Sequence, residues 1–447
     1  MPLAGLPIGK RSALLLDKEN MTKYSISPMS SLYELYLRHP RISTDSRRIE
    51  PDSVFFALRG ASFDGNRFAA DALEKGAAYA VVDDPSLPNT RPDKADRLIV
   101  VDDALQTLQT LAREHRRELG LPILAITGSN GKTTTKELVS RVLAEKYEVY
   151  ATRGNLNNHI GVPLTLLAMT RDVEFGIVEM GASACGEIAL LCSIAEPNYG
   201  IVTNIGRAHL EGFGGPEGVR RGKGELFDYL AANGGRAFVP REDEMLTNMA
   251  AERDGLAAEY YSITLAEDLE NHLEGHYNRF NIAAAVAVGR YFDVADERIR
   301  HAVGSYVPDN NRSQRTETGR NTLIVDCYNA NPSSMRASVA NFLAEPPGMR
   351  TRRLLILGDM LELGAWSAEE HAAVIRLAAQ APQTEVMLVG QEFAKARADM
   401  EPQPARITLF ADREHLIAAL RTHPVDNALV LIKGSRGIGL EKAVGEL

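Results

Sequence analysis

The sequence lacks the features that mark disulfide-stabilised and membrane-inserted proteins. Its 447 residues include three cysteines, Cys185, Cys192 and Cys327, whose spacing fits neither a disulfide framework nor a set of metal ligands. Long apolar runs and long runs of like charge are also missing. With 45% apolar and 24% charged residues, the composition is typical of a globular enzyme. The cysteine usage favours a reducing compartment, which we expect to be the cytoplasm.

The charge balance excludes two classes of partner. A formal net charge of -9 gives no basic surface for nucleic acid. No amphipathic stretch rich in lysine and arginine predicts adsorption to a membrane. We therefore expect local positive charge to serve small anionic ligands.

We expect no export signal in the first twenty residues. Leu14, Leu15 and Leu16 follow Lys10 and Arg11, but this apolar run is too short for a secretory segment and no small-residue cleavage pattern follows it. We expect residues 1–20 to be a leader or an expression remnant.

The length favours about three domains, at roughly 150 residues each. Apolar strand patterns alternate with helical stretches, which predicts an α/β fold throughout. We expect a small α/β domain at 21–105, a central domain with a doubly wound sheet at 106–309, and a Rossmann-like domain at 310–447. The segment Ser367-Ala368-Glu369-Glu370 predicts a capping box at a helix start. The main predicted strands are 53–58, 78–82, 98–101, 121–127, 175–179, 199–203, 322–326, 354–357, 386–389 and 428–432.

A phosphate-binding loop is the most specific motif. Gly128-Ser129-Asn130-Gly131-Lys132-Thr133-Thr134 lies between an apolar strand and a helix. Its glycines let backbone N–H groups face an anion at the helix N-terminus, Lys132 can reach the terminal phosphates, and Thr133 can ligate Mg²⁺. The strict motif would place glycine at position 126, where this chain has Ile126. The alternative is a glycine turn with a coincidental Lys-Thr, but the flanking strand and helix favour nucleotide binding.

Three polar residues follow at successive strand ends or helix faces. Glu179 ends a strand and could hold Mg²⁺ directly or through water. His209 lies in the loop after the next strand, where it could ligate a metal or orient an acyl phosphate. Lys223 falls on the apolar stripe of a predicted helix, where a charged amine is costly unless paired or modified. Taken singly, they also fit a solvated glutamate, a surface or helix-capping histidine, and a lysine that extends to water.

In this order, segment 127–134, Glu179, segment 204–211 and Lys223 resemble the Mur ligase family. The resemblance implies an ATP-dependent amide ligase that uses ATP and two Mg²⁺ ions. It implies that Lys223 is carbamylated and holds the second Mg²⁺. The implied catalytic residues are Lys132, Glu179, His209 and Lys223, and the implied metal ligands are Thr133, Glu179, His209 and Lys223. The implied nucleotide contacts are residues 128 to 134, Asn281, Arg312 and Asp326.

Four further segments, 154–163, 326–332, 357–364 and 433–436, resemble the branch of the family that adds D-alanyl-D-alanine. This implies that UDP-N-acetylmuramoyl-tripeptide and D-alanyl-D-alanine are joined through an acyl phosphate to give the pentapeptide precursor of peptidoglycan. It also implies a monomer. Arg47 and Arg59 would suit the diphosphate of the UDP-sugar. The substrate-binding residues expected from these matches are Asp45, Ser46, Arg47, Arg59, Asn158, Asn329 and Asn331.

The sequence departs from the family pattern at three places and leaves two other functions open. Asn-His-Pro is missing before Gly186-Glu187, Ala208 replaces an acidic residue, and Tyr277 stands where many members have histidine. One alternative is a sibling ligase that adds a single amino acid to a muramyl peptide, or glutamate to folate. The other is a nucleotide-binding scaffold without turnover. The Asn-Ala-Asn-Pro segment at 329–332 argues against the first, and the joint presence of the three polar residues argues against the second.

Overall fold

A computed structural model describes residues 28–273, 275–308, 314–345, 348, 350–381, 383–400 and 406–447. The expectation for residues 1–20 and the expected nucleotide contact Arg312 lie outside these residues. Three parallel or mostly parallel sheets follow one another along the chain, which confirms the predicted α/β class with three sheet-containing parts. The predicted boundaries at 105 and 309 stay predictions. In the described part of the chain, no helix combines the length and the apolarity needed to cross a bilayer.

The first sheet is small and parallel, with the order β1-β2-β5-β6. A two-stranded antiparallel ribbon, β3-β4, stands beside it. The strands are β1 (Ile42–Ser43), β2 (Val54–Phe56), β3 (Arg59–Gly60), β4 (Phe63–Asp64), β5 (Tyr79–Val82) and β6 (Leu98–Val100). The helices of this part are α1 (Pro28–Arg38), α2 (Ala69–Glu74), α3 (Leu87–Thr90) and α4 (Ala104–Leu119).

The central sheet has six parallel strands in the order β12-β11-β10-β7-β9-β8. They are β7 (Ile123–Thr127), β8 (Val149–Ala151), β9 (Phe175–Glu179), β10 (Tyr199–Val202), β11 (Arg236–Pro240) and β12 (Ala257–Tyr261). The helices are α5 (Lys132–Ala144), α6 (Gly161–Leu167), α7 (Glu187–Ala195), α8 (Leu210–Phe213), α9 (Pro216–Ala232), α10 (Glu244–Ala251), α11 (His276–Tyr291) and α12 (Asp296–Gly304). Apolar residues of α5, α11 and α12 form the core on one face, and those of α4, α6, α7 and α9 form the core on the other. The predicted doubly wound sheet is thus confirmed.

The third sheet has the order β13-β14-β18-β15-β16-β17, with an antiparallel edge strand β13. Its strands are β13 (Gln314–Glu317), β14 (Thr322–Asp326), β15 (Arg352–Gly358), β16 (Thr384–Val389), β17 (Ile407–Phe410) and β18 (Ala428–Lys433). Its helices are α13 (Pro332–Ala344), α14 (Ser367–Ala379), α15 (Gln391–Ala398) and α16 (Arg413–Thr422). Short 3-10 helices lie at Gly65–Phe68, Ala95–Arg97, Ile263–Ala266, Gly364–Trp366 and Leu440–Glu446.

The capping box predicted at Ser367 is wrong. A 3-10 turn runs directly into α14, so Ser367 already has helical dihedrals (φ -56°, ψ -51°) and does not adopt the extended geometry of a capping residue. Its hydroxyl donates instead to Glu392 at 2.6 Å. A capping box does occur at α13, where the Asn331 side chain accepts from the Ser334 N–H and the Ser334 side chain accepts from the Asn331 N–H.

Candidate active site

A cavity of about 960 Å³ lies where the central and third sheets face each other. The carboxyl ends of β7, β9 and β10 carry the phosphate loop, Glu179 and the loop with His209 to this place, as expected for a doubly wound sheet. The third sheet contributes the ends of β14 and β18. Predicted site residues that line the cavity are Ser129, Asn130, Gly131, Lys132, Thr133, Thr134, Asn158, Glu179, His209, Asn281, Asp326, Asn329 and Asn331.

The phosphate loop requires glycine at two positions. Gly128 has φ +139° and Gly131 has φ +80°, a backbone region that other residues rarely adopt. A Cβ atom at Gly128 would lie 2.0 Å from the Thr203 hydroxyl oxygen, and one at Gly131 would lie 2.6 Å from the side-chain oxygen of Asn281. Close approach of neighbouring segments therefore fixes the loop.

Lys132 begins α5, and its amine folds back over the loop. The Lys132 Nζ atom donates to the carbonyl oxygens of Gly128 at 2.7 Å and Ser129 at 3.2 Å. Thr133 and Thr134 follow in the first helical turn, largely buried. A cation, a helix N-terminus and a hydroxyl thus converge on one wall of the cavity, which suits an anionic phosphate chain.

The loop after β10 is hydrogen-bonded to the phosphate loop. The Ser129 N–H donates to the Asn204 carbonyl at 3.0 Å, and the Asn130 N–H donates to the Asn204 side chain at 3.2 Å. The Asn204 amide in turn donates to the Asn130 carbonyl at 3.0 Å. Asn281 lies beside this pair, where it accepts a hydrogen bond from the Thr135 hydroxyl at 3.1 Å. The predicted nucleotide contacts of the central part are therefore gathered in one place.

Glu179 is buried at the end of β9, with only 2% of its surface exposed. One carboxylate oxygen accepts from the Asn157 amide at 2.8 Å, whereas the other is buried with no hydrogen-bond partner among the described residues. An unpaired buried carboxylate oxygen is costly, and a cation would satisfy it. The predicted Asn158 has a different contact, because its side chain accepts from the N–H of Gly161 at 2.9 Å. Sequence reasoning missed Asn157, since the two adjacent asparagines carry the same chemistry.

Lys223 lies on α9 and is 1% exposed, which excludes the alternative of a lysine that extends to water. Its Nζ atom donates to the Ala182 carbonyl at 2.9 Å and lies 4.9 Å from the centre of the Phe213 ring. Lys223 forms no ion pair with a carboxylate of the described residues. Burial, together with the nearby charge of Lys132, lowers the pKa of Lys223 to about 7.

His209 has a left-handed backbone, with φ +52°, and its ring faces the third sheet. Its Nδ1 atom pairs with the carboxylate of Glu362, a residue of the loop after β15. Burial lowers the pKa of His209, while the Glu362 carboxylate opposes that shift. Glu362 was not predicted as a site residue, although the segment 357–364 that contains it had been singled out.

The third sheet carries its own buried ion pair into the cavity. Asp326, at the end of β14, accepts from the Lys433 amine at 2.5 Å and from the Ser338 hydroxyl at 2.9 Å. Lys433 is 2% exposed and was not predicted. Asn331 reaches across to the central sheet, where its amide donates to the Asn130 side-chain oxygen at 2.7 Å. The phosphate loop therefore contacts the third sheet directly.

The four candidates of the first sheet do not line this cavity. Arg47 makes two 2.8 Å hydrogen bonds to Asp45, and this contact holds the pKa of Asp45 well below its usual range. Arg59 pairs with Asp83 at 2.8 Å. The carbonyl of Ser46 accepts from Lys75 at 2.8 Å. Their role in holding a UDP-sugar stays a prediction.

Models of three protein families match the sequence. The model described as "Mur ligase family, catalytic domain" matches residues 40–116, "Mur ligase middle domain" matches 126–272, and "Mur ligase, glutamate ligase domain" matches 311–436. The three matches follow the order of the three sheets.

Curated and solved relatives extend this likeness over most of the chain. The UDP-N-acetylmuramoyl-tripeptide--D-alanyl-D-alanine ligase of Bacillus subtilis (strain 168) is 33% identical over 428 residues, which cover 91% of this chain and 92% of that protein. A crystal structure of MurF from Acinetobacter baumannii has a TM-score of 0.80 at 30% identity and covers 91% of this chain and 93% of its own. The structure of MurF ligase from Thermotoga maritima in complex with ADP has a TM-score of 0.77 at 26% identity, with coverages of 92% and 97%.

Proposed function

The chain belongs to the Mur ligase family, and from this membership we propose that it is the ATP-dependent ligase that joins D-alanyl-D-alanine to UDP-N-acetylmuramoyl-tripeptide. The products are UDP-N-acetylmuramoyl-pentapeptide, ADP and phosphate. The observation that carries the proposal is the contact of Asn331 with Asn130. It brings the Asn-Ala-Asn-Pro segment, which argued for dipeptide addition, against the phosphate loop in one cavity. We further propose that the protein acts as a cytoplasmic monomer.

The reaction needs ATP because a carboxylate is a poor electrophile. The terminal carboxylate of the acceptor peptide attacks the γ-phosphorus, ADP leaves, and an acyl phosphate forms. The amine of D-alanyl-D-alanine then attacks the acyl carbon, loses a proton and displaces phosphate through a tetrahedral intermediate. Lys132 and the N-terminus of α5 offset the negative charge on the transferring phosphoryl group. Positioning of the two substrates in the cavity supplies much of the remaining rate.

Mg²⁺ fits the acidic side of the cavity. The unpartnered oxygen of Glu179 offers a ligand, and Thr133 and His209 line the same cavity. When bound, Mg²⁺ neutralises charge on phosphate oxygens. No three His, Cys, Asp or Glu side chains of the described residues form a ready-made metal site, so phosphate oxygens and water would complete the ligand shell.

We propose that Lys223 is carbamylated and helps to hold a second Mg²⁺. Its amine is buried beside a single carbonyl acceptor, and its lowered pKa favours the neutral amine, which is the form that reacts with CO₂. The neutral amine attacks CO₂, an N–C bond forms, and one proton is released. The resulting carboxylate is an oxygen ligand that Mg²⁺ prefers.

We propose that the other predicted site residues contact three different ligand groups. Asn281, Asp326 and Arg312 are proposed to contact the nucleotide, and Asn158, Asn329 and Asn331 the peptides. Asp45, Ser46, Arg47 and Arg59, in a domain at 21–105, are proposed to hold the UDP-sugar. ATP is proposed to bind mainly to a domain at 106–309, and the domain at 310–447 to close over it.

The test is phosphate release with ATP, Mg²⁺ and UDP-N-acetylmuramoyl-tripeptide, with and without D-alanyl-D-alanine, followed by mass analysis of the product. We expect release to require both substrates and to yield the pentapeptide. Lys132→Ala should abolish it. Release with a single amino acid instead would identify a sibling ligase, and absence of release with any acceptor would indicate a nucleotide-binding protein without turnover.

A further inference from the structure

A buried carboxylate on α14 joins the third sheet to the loop that carries His209. Glu370 is 1% exposed. One of its oxygens forms an ion pair, without hydrogen-bond geometry, with the guanidinium of Arg207, which follows β10. The other oxygen accepts a hydrogen bond from Arg336 on α13. A carboxylate removed from water is costly unless it is paired, and here two arginines from different parts of the chain supply the opposite charge.

Arg207 is held by its backbone as well as by its side chain. Its N–H donates to the Ser333 hydroxyl of α13 at 2.8 Å. The preceding Gly206 lies in a narrow space, because a Cβ atom there would be 2.8 Å from the Ser333 hydroxyl oxygen and 3.2 Å from Ser129 Cβ. The segment 206–207 is thus enclosed between the phosphate loop and α13. A shift of Arg207 would be transmitted to both.

Two residues further on, the same loop places His209 against Glu362. The N–H of Glu211 also donates to the Glu362 carbonyl, at 3.2 Å. These contacts are more exposed than Glu370, since the Glu362 side chain is 61% exposed. The Glu370 carboxylate is therefore shielded from solvent, whereas the Glu362 carboxylate is not.

We propose that Glu370 is a positioning residue for the ligase reaction. Its carboxylate holds Arg207, and through Arg207 it fixes the backbone of the His209 loop when the third sheet is docked on the central sheet. This role rests on the proposed ligase function. The α14 helix thereby contributes to catalysis without contacting substrate.

The experiment compares Glu370→Gln, Arg207→Gln and the double variant by kcat, by KM for ATP and by amide hydrogen exchange. Both single variants should lower kcat about tenfold, change KM for ATP less than about threefold, and speed exchange of residues 203–211. The kcat of the double variant should be no lower than that of the poorer single variant, because both substitutions break the same contact between Arg207 and Glu370. Exchange in the buried strand 352–358 should stay unchanged, which separates loop positioning from general loss of stability.

Two arginine variants serve as matched controls. Arg336→Gln keeps the contact between Arg207 and Glu370 and should lower kcat less than about threefold. Arg220→Gln removes an arginine from an exposed pair with Glu252 and should have no effect. If Glu370→Gln does not fold, Arg207→Gln still carries the test, because the Arg207 side chain is 35% exposed and Glu370 keeps Arg336.

Wild-type kcat in Arg207→Gln, multiplied effects in the double variant, or unchanged exchange at 203–211 would overturn the proposal. The exchange measurement needs no substrate. It therefore distinguishes failure of this proposal from failure of the ligase function, which would show as an inactive wild-type protein.

Discussion

At the scale of single residues, the unusual feature is a set of ionisable groups that water does not reach. Lys223, Glu179 and Glu370 are each 1 or 2% exposed. Glu370 forms ion pairs with Arg207 and Arg336, although its oxygen beside Arg207 forms no hydrogen bond. Among the described residues, Lys223 has one carbonyl acceptor and no ion pair, and one oxygen of Glu179 has neither a hydrogen bond nor an ion pair. Buried charge that the fold leaves unpaired is a mark of a functional site. The ion pairs thus distinguish Glu370, the proposed positioning residue, from Lys223 and Glu179, which are proposed to bind Mg²⁺.

Replacement of Lys223 should reveal whether its carbamate is needed. Lys223→Ala removes the proposed metal-binding carboxylate and should lower kcat by roughly 10²–10³-fold. It also leaves a void in which a short carboxylic acid can supply the missing oxygen atoms. We expect acetate or formate to restore part of the ligase rate in Lys223→Ala. Lys223→Met fills the void and is the control, so equal recovery in both variants, or none in either, would argue against carbamylation.

The stability of the unmodified protein should depend on pH through Lys223. The pKa of its amine is about 7 when folded and near 10.5 ordinarily. Between these values the unfolded chain binds a proton that the folded chain lacks, so stability rises with pH. The destabilisation by Lys223 is therefore complete below pH 7 and disappears above about pH 10.5. In CO₂-free buffer, Lys223→Met should unfold at a higher temperature than wild type at pH 7, with the difference shrinking by pH 9.5. A difference that stays constant would contradict the lowered pKa.

At the scale of elements, the start of α13 combines a helix cap with a contact between sheets. Asn331 accepts from the Ser334 N–H at 2.9 Å with its oxygen and donates to Asn130 at 2.7 Å with its amide. The first contact is local to the helix, and the second joins it to the phosphate loop. Because the two contacts use different atoms, substitutions can separate them.

Asn331→Ser should keep the cap and lose the contact with Asn130, because serine caps helices well but is too short to replace the amide. Asn331→Ala should lose both. We expect both variants to lower kcat/KM at least about fivefold, the value of one hydrogen bond of about 1 kcal/mol. Amide exchange over residues 333–336 should rise about fivefold in the alanine variant and change little in the serine variant. Equal exchange in the two variants would show that the cap does not stabilise this turn.

The elements also show what local sequence can predict. Apolar runs predicted ten strands, at least three in each sheet, because a strand buried on both faces is apolar along its length. They did not predict β1, β8, β11, β12, β13 and β17. The capping box predicted at Ser367 was wrong because the sequence pattern did not predict the 3-10 turn that precedes α14. Glu370, expected to cap a helix, instead pairs with an arginine 163 positions earlier in the chain. Asn157, Glu362 and Lys433 were missed for a related reason, since their roles depend on contacts between distant segments.

At the scale of the whole molecule, one cavity is shared by two sheets while the first sheet lies outside it. Apolar residues of α1, α4 and β2 belong to the same core as α6, α7 and α9, so the first sheet packs on the central one. None of Asp45, Ser46, Arg47 and Arg59 lines the cavity. A substrate held at both places must therefore extend from the first sheet to the phosphate loop, which suits a long UDP-sugar peptide.

Binding of both ends of such a substrate should draw the three parts together and exclude water from the acyl phosphate. Small-angle scattering should show a smaller radius of gyration with a non-hydrolysable ATP analogue and UDP-N-acetylmuramoyl-tripeptide together than with either alone. Arg47→Ala with Arg59→Ala should abolish the part of the compaction that depends on the UDP-sugar and leave nucleotide binding intact, because these arginines lie outside the cavity. Lys132→Ala is the complementary control, since it should weaken the response to the nucleotide. Equal radii in all ligand states would mean that the parts of the chain already have their catalytic arrangement, and the contacts of Asn331 and Glu370 would then be permanent rather than formed in the catalytic cycle.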